Sequence, residues 1–203
     1  MLKFFARKTI GTAFAFGLLL LIGCSAADNR GSLYFVEGPY EPAIEDSDSD
    51  PEVDLKLTLT TELPIRSDSA RIGFRPKSPF PSHLILHSSL MDWLHTGLQE
   101  EFQRAGIEIS NDAERFEARL QMIYLWGTQC RSGGNCLQAI AAFDVELIDQ
   151  EFEEVYRRKF VADLSEEVSP MTDEALEKLI RDAVADVFSQ IVNETHSVTT
   201  AGL

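Results

Sequence analysis

The sequence predicts an α+β fold: an antiparallel β-sheet (a meander) with two amphipathic helices packed on one face. Three patterns predict it. Residues 55–63 alternate apolar and polar, three longer alternating runs lie between 116 and 164, and two stretches carry apolar residues at helical spacing. Leu55, Leu57, Leu59, Thr61 and Leu63 alternate with Lys56, Thr58, Thr60 and Glu62, the mark of a half-buried strand that Pro64 ends. Ala70, Ile72 and Phe74 alternate with Arg71, Gly73 and Arg75, a weaker strand or hairpin partner, and Pro76, Pro79 and Pro81 then mark a loop. Leu90, Leu94, Leu98, Phe102 and Ala105, with Trp93, trace one stripe of a helix from about Ser89 to Ala105, and Gly106 suits its C-terminal cap.

A short segment at 107–109 leads into the meander. Phe116, Ala118, Leu120, Met122, Tyr124 and Trp126 form one face of its first strand. Leu137, Ala139, Ala141, Phe143, Val145 and Leu147 form one face of the second, and Phe152, Tyr156, Phe160, Ala162 and Leu164 belong to the third, after a turn at 149–151. Pro170 and Thr172 open a last helix with the stripe Leu176, Leu179, Ile180, Ala183, Val184, Val187, Phe188 and Ile191. The domain is expected over 55–193, with 194–203 a disordered tail. Two amphipathic helices over a meander have one economical arrangement, both on the same face. The opposite face of the central hairpin holds Ile123, Leu125, Ile140, Ala142 and Ile148. That is too apolar for full wetting, so a covered or docking face is expected.

Composition narrows the function. The chain has 203 residues, 44% of them hydrophobic, enough for one core with appendages. It carries 18 Lys+Arg against 33 Asp+Glu, a net charge of −15. Such an excess argues against nucleic acid, whose affinity comes mostly from cations on phosphates, and against polybasic docking on anionic lipid.

The N-terminus reads as an address. Lys3, Arg7 and Lys8 precede an apolar run from Ile10 to Ile22. In a helix that run reaches ~20 Å against a ~30 Å hydrocarbon core, so 1–23 is an export signal and not a span. The run ends in Leu21-Ile22-Gly23-Cys24, which resembles the lipobox of bacterial lipoproteins. The resemblance implies that Cys24 becomes a thioether-linked diacylglycerol and, after cleavage, the acylated N-terminus. An ordinary signal cut near Ser25-Ala26-Ala27 is the alternative. Ser25 beside the lipidated Cys favours the outer membrane, by resemblance to the sorting rule of enteric bacteria. Removing 1–23 leaves 15 basic against 33 acidic residues, a net charge of −18.

Residues 24–54 read as an acidic flexible tether, polar apart from the island Leu33-Tyr34-Phe35-Val36. Asp46, Asp48 and Asp50 invite a calcium-loop reading, but Pro51 and Leu57 stand where that loop needs Gly and Glu. Cys130 and Cys136 bracket a five-residue loop between two alternating runs, a good position for a disulfide in an oxidising compartment. Closing so short a loop contributes ~2–3 kcal/mol at best in the chain-entropy model. Further metal ligands are missing from the loop, so no metal site is expected there. His83 and His87 lack the Glu of a zinc-protease helix, Ser88, Ser89 and Ser132 sit in no nucleophile elbow, and no Gly-rich phosphate loop follows a strand. The chain is expected to be no enzyme and to hold no cofactor.

The order of signal, lipobox Cys, tether, strand, helix, meander and final helix resembles the small envelope lipoproteins that assist ABC-type intermembrane transport. Leu33-Tyr34-Phe35-Val36, the Trp93 helix ending Ala105-Gly106, the strands 116–126 and 139–148 and the helix 174–192 carry the resemblance, which spans most of the mature chain. A weaker resemblance links it to the lipopolysaccharide-assembly lipoprotein, whose Gly-Phe after the lipobox is replaced by Ser25-Ala26. The long acidic tether and the Cys130–Cys136 loop depart from the first family. What the resemblance implies is an accessory or assembly subunit on the periplasmic face of the outer membrane. It would be held by its lipid and act by docking on an envelope protein. A lipid-binding carrier and a secreted soluble interaction domain are the alternatives.

Overall fold

The computed structural model describes residues 33–35, 40, 42, 53–61, 69–74, 83–87, 90–152 and 154–201. Cys24 and the rest of 1–32 lie outside these residues. In chain order the elements are β1 (Leu33–Phe35), β2 (Val53–Thr61), β3 (Ser69–Phe74), β4 (His83–His87), α1 (Leu90–Arg104), β5 (Ile107–Ile109), β6 (Phe116–Gln129), β7 (Cys136–Asp149), β8 (Glu154–Glu167) and α2 (Asp173–Ala201). The fold class is α+β, as the sequence predicts.

The expected antiparallel sheet needs correction. The eight strands among the described residues form one mixed sheet. The meander β6–β7–β8 is antiparallel; β7 and β8 pair without interruption from Cys136↔Glu167 to Asp149↔Glu154, and β6 pairs with β7 from Phe116↔Asp149 to Gln129↔Leu137 with one shift of register. β2 instead lies parallel to both β5 and β6, and β1 lies parallel to β4. The physical reason is connectivity. Between β2 and β6 the chain passes through β3, β4, α1 and β5, and a crossover of that length permits a return in the same direction. β6 is the hub. One of its edges carries β7, while the other carries β2 at its start and β3 at Gly127.

Gly73 and Gly127 make the β3–β6 contact possible. A Cβ on Gly73 would lie 2.9 Å from the Gly127 carbonyl carbon, and one on Gly127 would lie 2.7 Å from Cγ1 of Ile180 on α2. Two backbones and a helix meet there with no room for a methyl group.

Both helices feed one core. Leu94, Leu98 and Phe102 of α1 and Ile180, Val184, Phe188 and Ile191 of α2 are fully buried with Leu55, Leu120, Met122, Ala141 and Phe143 of the sheet. Phe143 and Phe188 meet edge to face at 5.4 Å. The caps follow the sequence: Gly106 takes φ +75° after α1, and Thr172 Oγ1 accepts the Ala175 N–H at 3.2 Å before α2. α2 does not stop at Asn193. It runs to Ala201, through the expected tail, with Thr195 and Thr199 buried. Glu194 accepts from the Tyr156 hydroxyl, and Arg158 pairs with it at 2.8 Å, so the helix is pinned to β8.

Ordered structure also reaches back into the expected tether. β1 is formed from its apolar island, and Tyr40 packs between the two helices. The Tyr40 ring lies 5.9 Å from both Trp93 and Phe188, over Gly97, where a Cβ would come within 2.7 Å of it. Its hydroxyl donates to Glu101 Oε1 at 2.7 Å, and Glu101 is fully buried. Burial raises the Tyr40 phenol well above the ordinary tyrosine range, and the adjacent Glu101 carboxylate raises it further.

At the far end of the meander, the buried Asp149 carboxylate organises the β7–β8 turn. It accepts from Arg115 Nη2 at 3.1 Å and from the N–H groups of Glu151 and Phe152. Desolvation raises its pKa, but Arg115 and the two N–H groups outweigh that, and the carboxyl sits below its ordinary value. A depressed folded-state pKa stabilises the fold above the unfolded value of ~3.9 and ceases to do so as pH falls through the lower folded value. Urea midpoints should therefore drop on acidification below about pH 4, and Asp149→Asn should flatten that drop while lowering stability at neutral pH. An unchanged acid profile in Asp149→Asn would assign the drop to other carboxylates.

Candidate functional site

The face of the sheet turned away from the helices is the candidate site, and a bulge in β6 shapes it. Burial along β6 alternates inward at Phe116, Ala118, Leu120 and Met122. The register with β7 then slips between Met122 and Tyr124. Beyond that β-bulge the phase reverses. Leu125 and Gly127 turn inward, while Tyr124 and Trp126, expected on the core face, turn outward. Leu125, expected outside, is buried. The predicted apolar outer face is therefore real, but its large side chains are different ones. Ile140 and Ile148 remain half-buried on it, and Ala142 is covered.

The bulge divides this face into two halves. On one side, register aligns Thr58, Arg119, Glu146 and Arg157 in one cross-strand row and Thr60, Gln121, Asp144 and Lys159 in the next. Both rows line a groove of about 520 Å³. Arg157 pairs with Glu146 at 2.8 Å and Arg119 with Glu117 at 2.9 Å. Such exposed pairs contribute at most ~1 kcal/mol each, so they pattern the surface more than they stabilise it. On the other side, Tyr124, Ala142 and Val161 form a row, with Trp126, Ile140 and Asp163 in the next. Phe74 meets Trp126 edge to face at 5.2 Å, and Tyr124 stacks with Trp126 at 6.4 Å. Phe74, Tyr124 and Val161 are 36%, 41% and 46% exposed.

Cys130 and Cys136 are brought together as the sequence predicts. Their disulfide spans a Cα–Cα distance of 5.3 Å at the tip of the β6–β7 hairpin. Gly133 and Gly134 take φ near +76°, a left-handed turn that needs glycine, and the Cys130 N–H donates to the Cys136 carbonyl at 2.9 Å. His83 and His87 lie at the two ends of strand β4 and not on a helix. Among the described residues no group of three His, Cys, Asp or Glu side chains is arranged to hold a metal ion, and no helix is long and apolar enough to cross a membrane. The expected lipidation site, Cys24, lies outside the described residues.

Sequence reasoning missed the Tyr40–Glu101 pair. A signal for it existed: Gly97 and Glu101 interrupt the apolar stripe of α1 at Leu94 and Leu98, leaving a gap for a ring and an acceptor for its hydroxyl.

No protein-family model matches this chain, and no curated protein does. Solved structures do. A crystal structure of a Xanthomonas campestris protein of family DUF330 superposes with a TM-score of 0.57 at 13% identity, covering 81% of this chain and 99% of that one. A crystal structure of an uncharacterized protein gives 0.50 at 12% identity, over 76% and 99% of the two chains. A minor lipoprotein from Acinetobacter baumannii gives 0.43 at 15% identity, over 71% and 90% of the two chains. Identities this low speak for architecture alone: this chain is built on the same α+β plan as the Xanthomonas campestris protein.

Proposed function

We propose that this chain is an envelope lipoprotein, acylated at Cys24 and held on the periplasmic face of the outer membrane. There it serves as a non-enzymatic accessory or assembly subunit of an envelope complex, possessing no cofactor of its own and acting by protein docking. The observation that carries this reading is the uncovered sheet face. Among the described residues both helices pack on the other side, and none covers this broad surface with its alternating charges and its groove between β2 and β8, which suits a docking partner. Interfaces of this mixed polarity suit assemblies that form and dissociate. The alternative, a carrier of lipid between helices and sheet, finds that space filled by Phe102, Phe143, Phe188 and Leu98, all fully buried.

Two measurements test the proposal. Palmitate-analogue labelling should mark the wild type and be lost in Cys24→Ser, and label that survives the substitution refutes the anchor. Photocrosslinking in intact cells from Gln121 and Arg157 on the open face should capture one envelope protein. Adducts that form only from the helical side, such as Lys178 of α2, would reverse the assignment of the docking face.

A further inference from the structure

The apolar half of the sheet face has a particular relation to the point where the chain arrives from its anchor. Leu33 opens β1 and pairs with Leu84 of β4; Leu84 pairs with Gly73 of β3, and Gly73 with Gly127 of β6. These four residues form one continuous row across the sheet. Three inter-strand steps of ~4.8 Å put Leu33 within ~15 Å of Gly127, the neighbour of Trp126. In sequence, Leu33 follows Cys24 by nine residues. Fully extended, nine residues span ~30 Å at most. An acylated Cys24 therefore keeps Leu33 within ~30 Å of the bilayer, and the row beside Trp126 within ~45 Å of it.

We propose that the patch formed by Phe74, Tyr124, Trp126 and Val161 rests on the lipid headgroup–acyl boundary of the membrane that holds Cys24. The inference depends on the acylation proposed above. Its chemistry is the right kind: Trp and Tyr favour the water–hydrocarbon boundary, where a ring is buried and its polar atom stays wet. Tethering supplies the rest, because a short linker makes the second contact intramolecular at millimolar effective concentration, so a weak patch is enough. The charges beside it set the lipid. Asp163 shares the Trp126 row, and Glu167, paired with Cys136, lies on the same face at the hairpin tip, so a zwitterionic surface is accepted and an anionic one repelled. The membrane contact and the protein-docking groove then occupy opposite sides of the bulge, and one face serves both.

The test uses the full mature chain, acylated at Cys24, with Trp93→Phe so that Trp126 is its one tryptophan. It is incorporated into vesicles of phosphatidylethanolamine and phosphatidylcholine, with or without brominated acyl chains. Co-flotation and the mass of the N-terminus report the anchor independently. The expected result is loss of most Trp126 emission in brominated vesicles, and recovery of that emission in Val161→Asp. Protein that is acylated and floats but keeps its full emission overturns this inference and leaves the anchor standing. Shielding from aqueous acrylamide without bromine quenching assigns the patch to a second copy of the chain and overturns it too. An unmodified Cys24 overturns both.

Discussion

Tyr40→Ala should lower the unfolding free energy by about 3–5 kcal/mol, the cost of removing a buried aromatic ring. The reason lies in what the ring separates. It fills the notch over Gly97, touches Trp93 and Phe188, and supplies a hydroxyl donor to Glu101 inside the core. Tyr40→Phe keeps the packing and removes the donor, so it should cost about 1.5–3 kcal/mol, as expected for a hydrogen bond to a charged group. Urea denaturation followed by fluorescence tests both, and Tyr40→Ala should also shift Trp93 emission to the red. If Tyr40→Ala proved as stable as the wild type, the helix–helix contact would not depend on this residue.

Gly73→Ala is the second large effect, at about 3 kcal/mol or more, the upper end for overpacking. A methyl at 73 would press on the Gly127 backbone, 2.9 Å from its carbonyl carbon and 3.0 Å from its nitrogen. Backbone cannot rotate away as a side chain can. The damage should stay local, because β3 is the link through which β4 and β1 join β6. Hydrogen exchange should show amides of 69–74 and 83–87 losing protection while those of β7 keep theirs. Gly134 offers the contrast: nothing lies within 4 Å of its would-be Cβ, so Gly134→Ala should cost only the ~1–2 kcal/mol of a left-handed residue. Uniform loss of protection in Gly73→Ala would mean that the sheet unfolds as one unit.

Much of the architecture was legible in the sequence because it is written in local periodicity. The stripes of both helices, the long meander and the Cys-flanked hairpin are all patterns of neighbouring residues. What escaped was non-local. The alternation at 55–63 marks a strand but carries no information about its partner, so the parallel pairing of β2 with β6 could not be read. The bulge at Ile123 hid for a different reason. Met122-Ile123-Tyr124-Leu125-Trp126 is apolar throughout, so either phase satisfies the pattern, and only the core decides which side chains it takes. The final turns of α2 looked polar, yet Thr195 and Thr199 lie four residues apart on one side. The Thr199 hydroxyl donates back to the Thr195 carbonyl at 2.9 Å, which lets a polar residue be buried there. Tyr40 stands alone among Gly38, Pro39 and Pro42, with no periodicity to announce it.

β8 is a fourteen-residue strand that, among the described strands, pairs with β7 alone. Its outer margin is a ready template for unwanted growth of the sheet. Arg157, Arg158 and Lys159 sit consecutively in its first half, and Glu166 and Glu167 close it. A stray strand aligning there has to match a cationic block and an acidic end simultaneously, a lock that few sequences fit. Removing two of those three cations, by Arg157→Thr with Lys159→Thr, would turn a guarded border into an adhesive one.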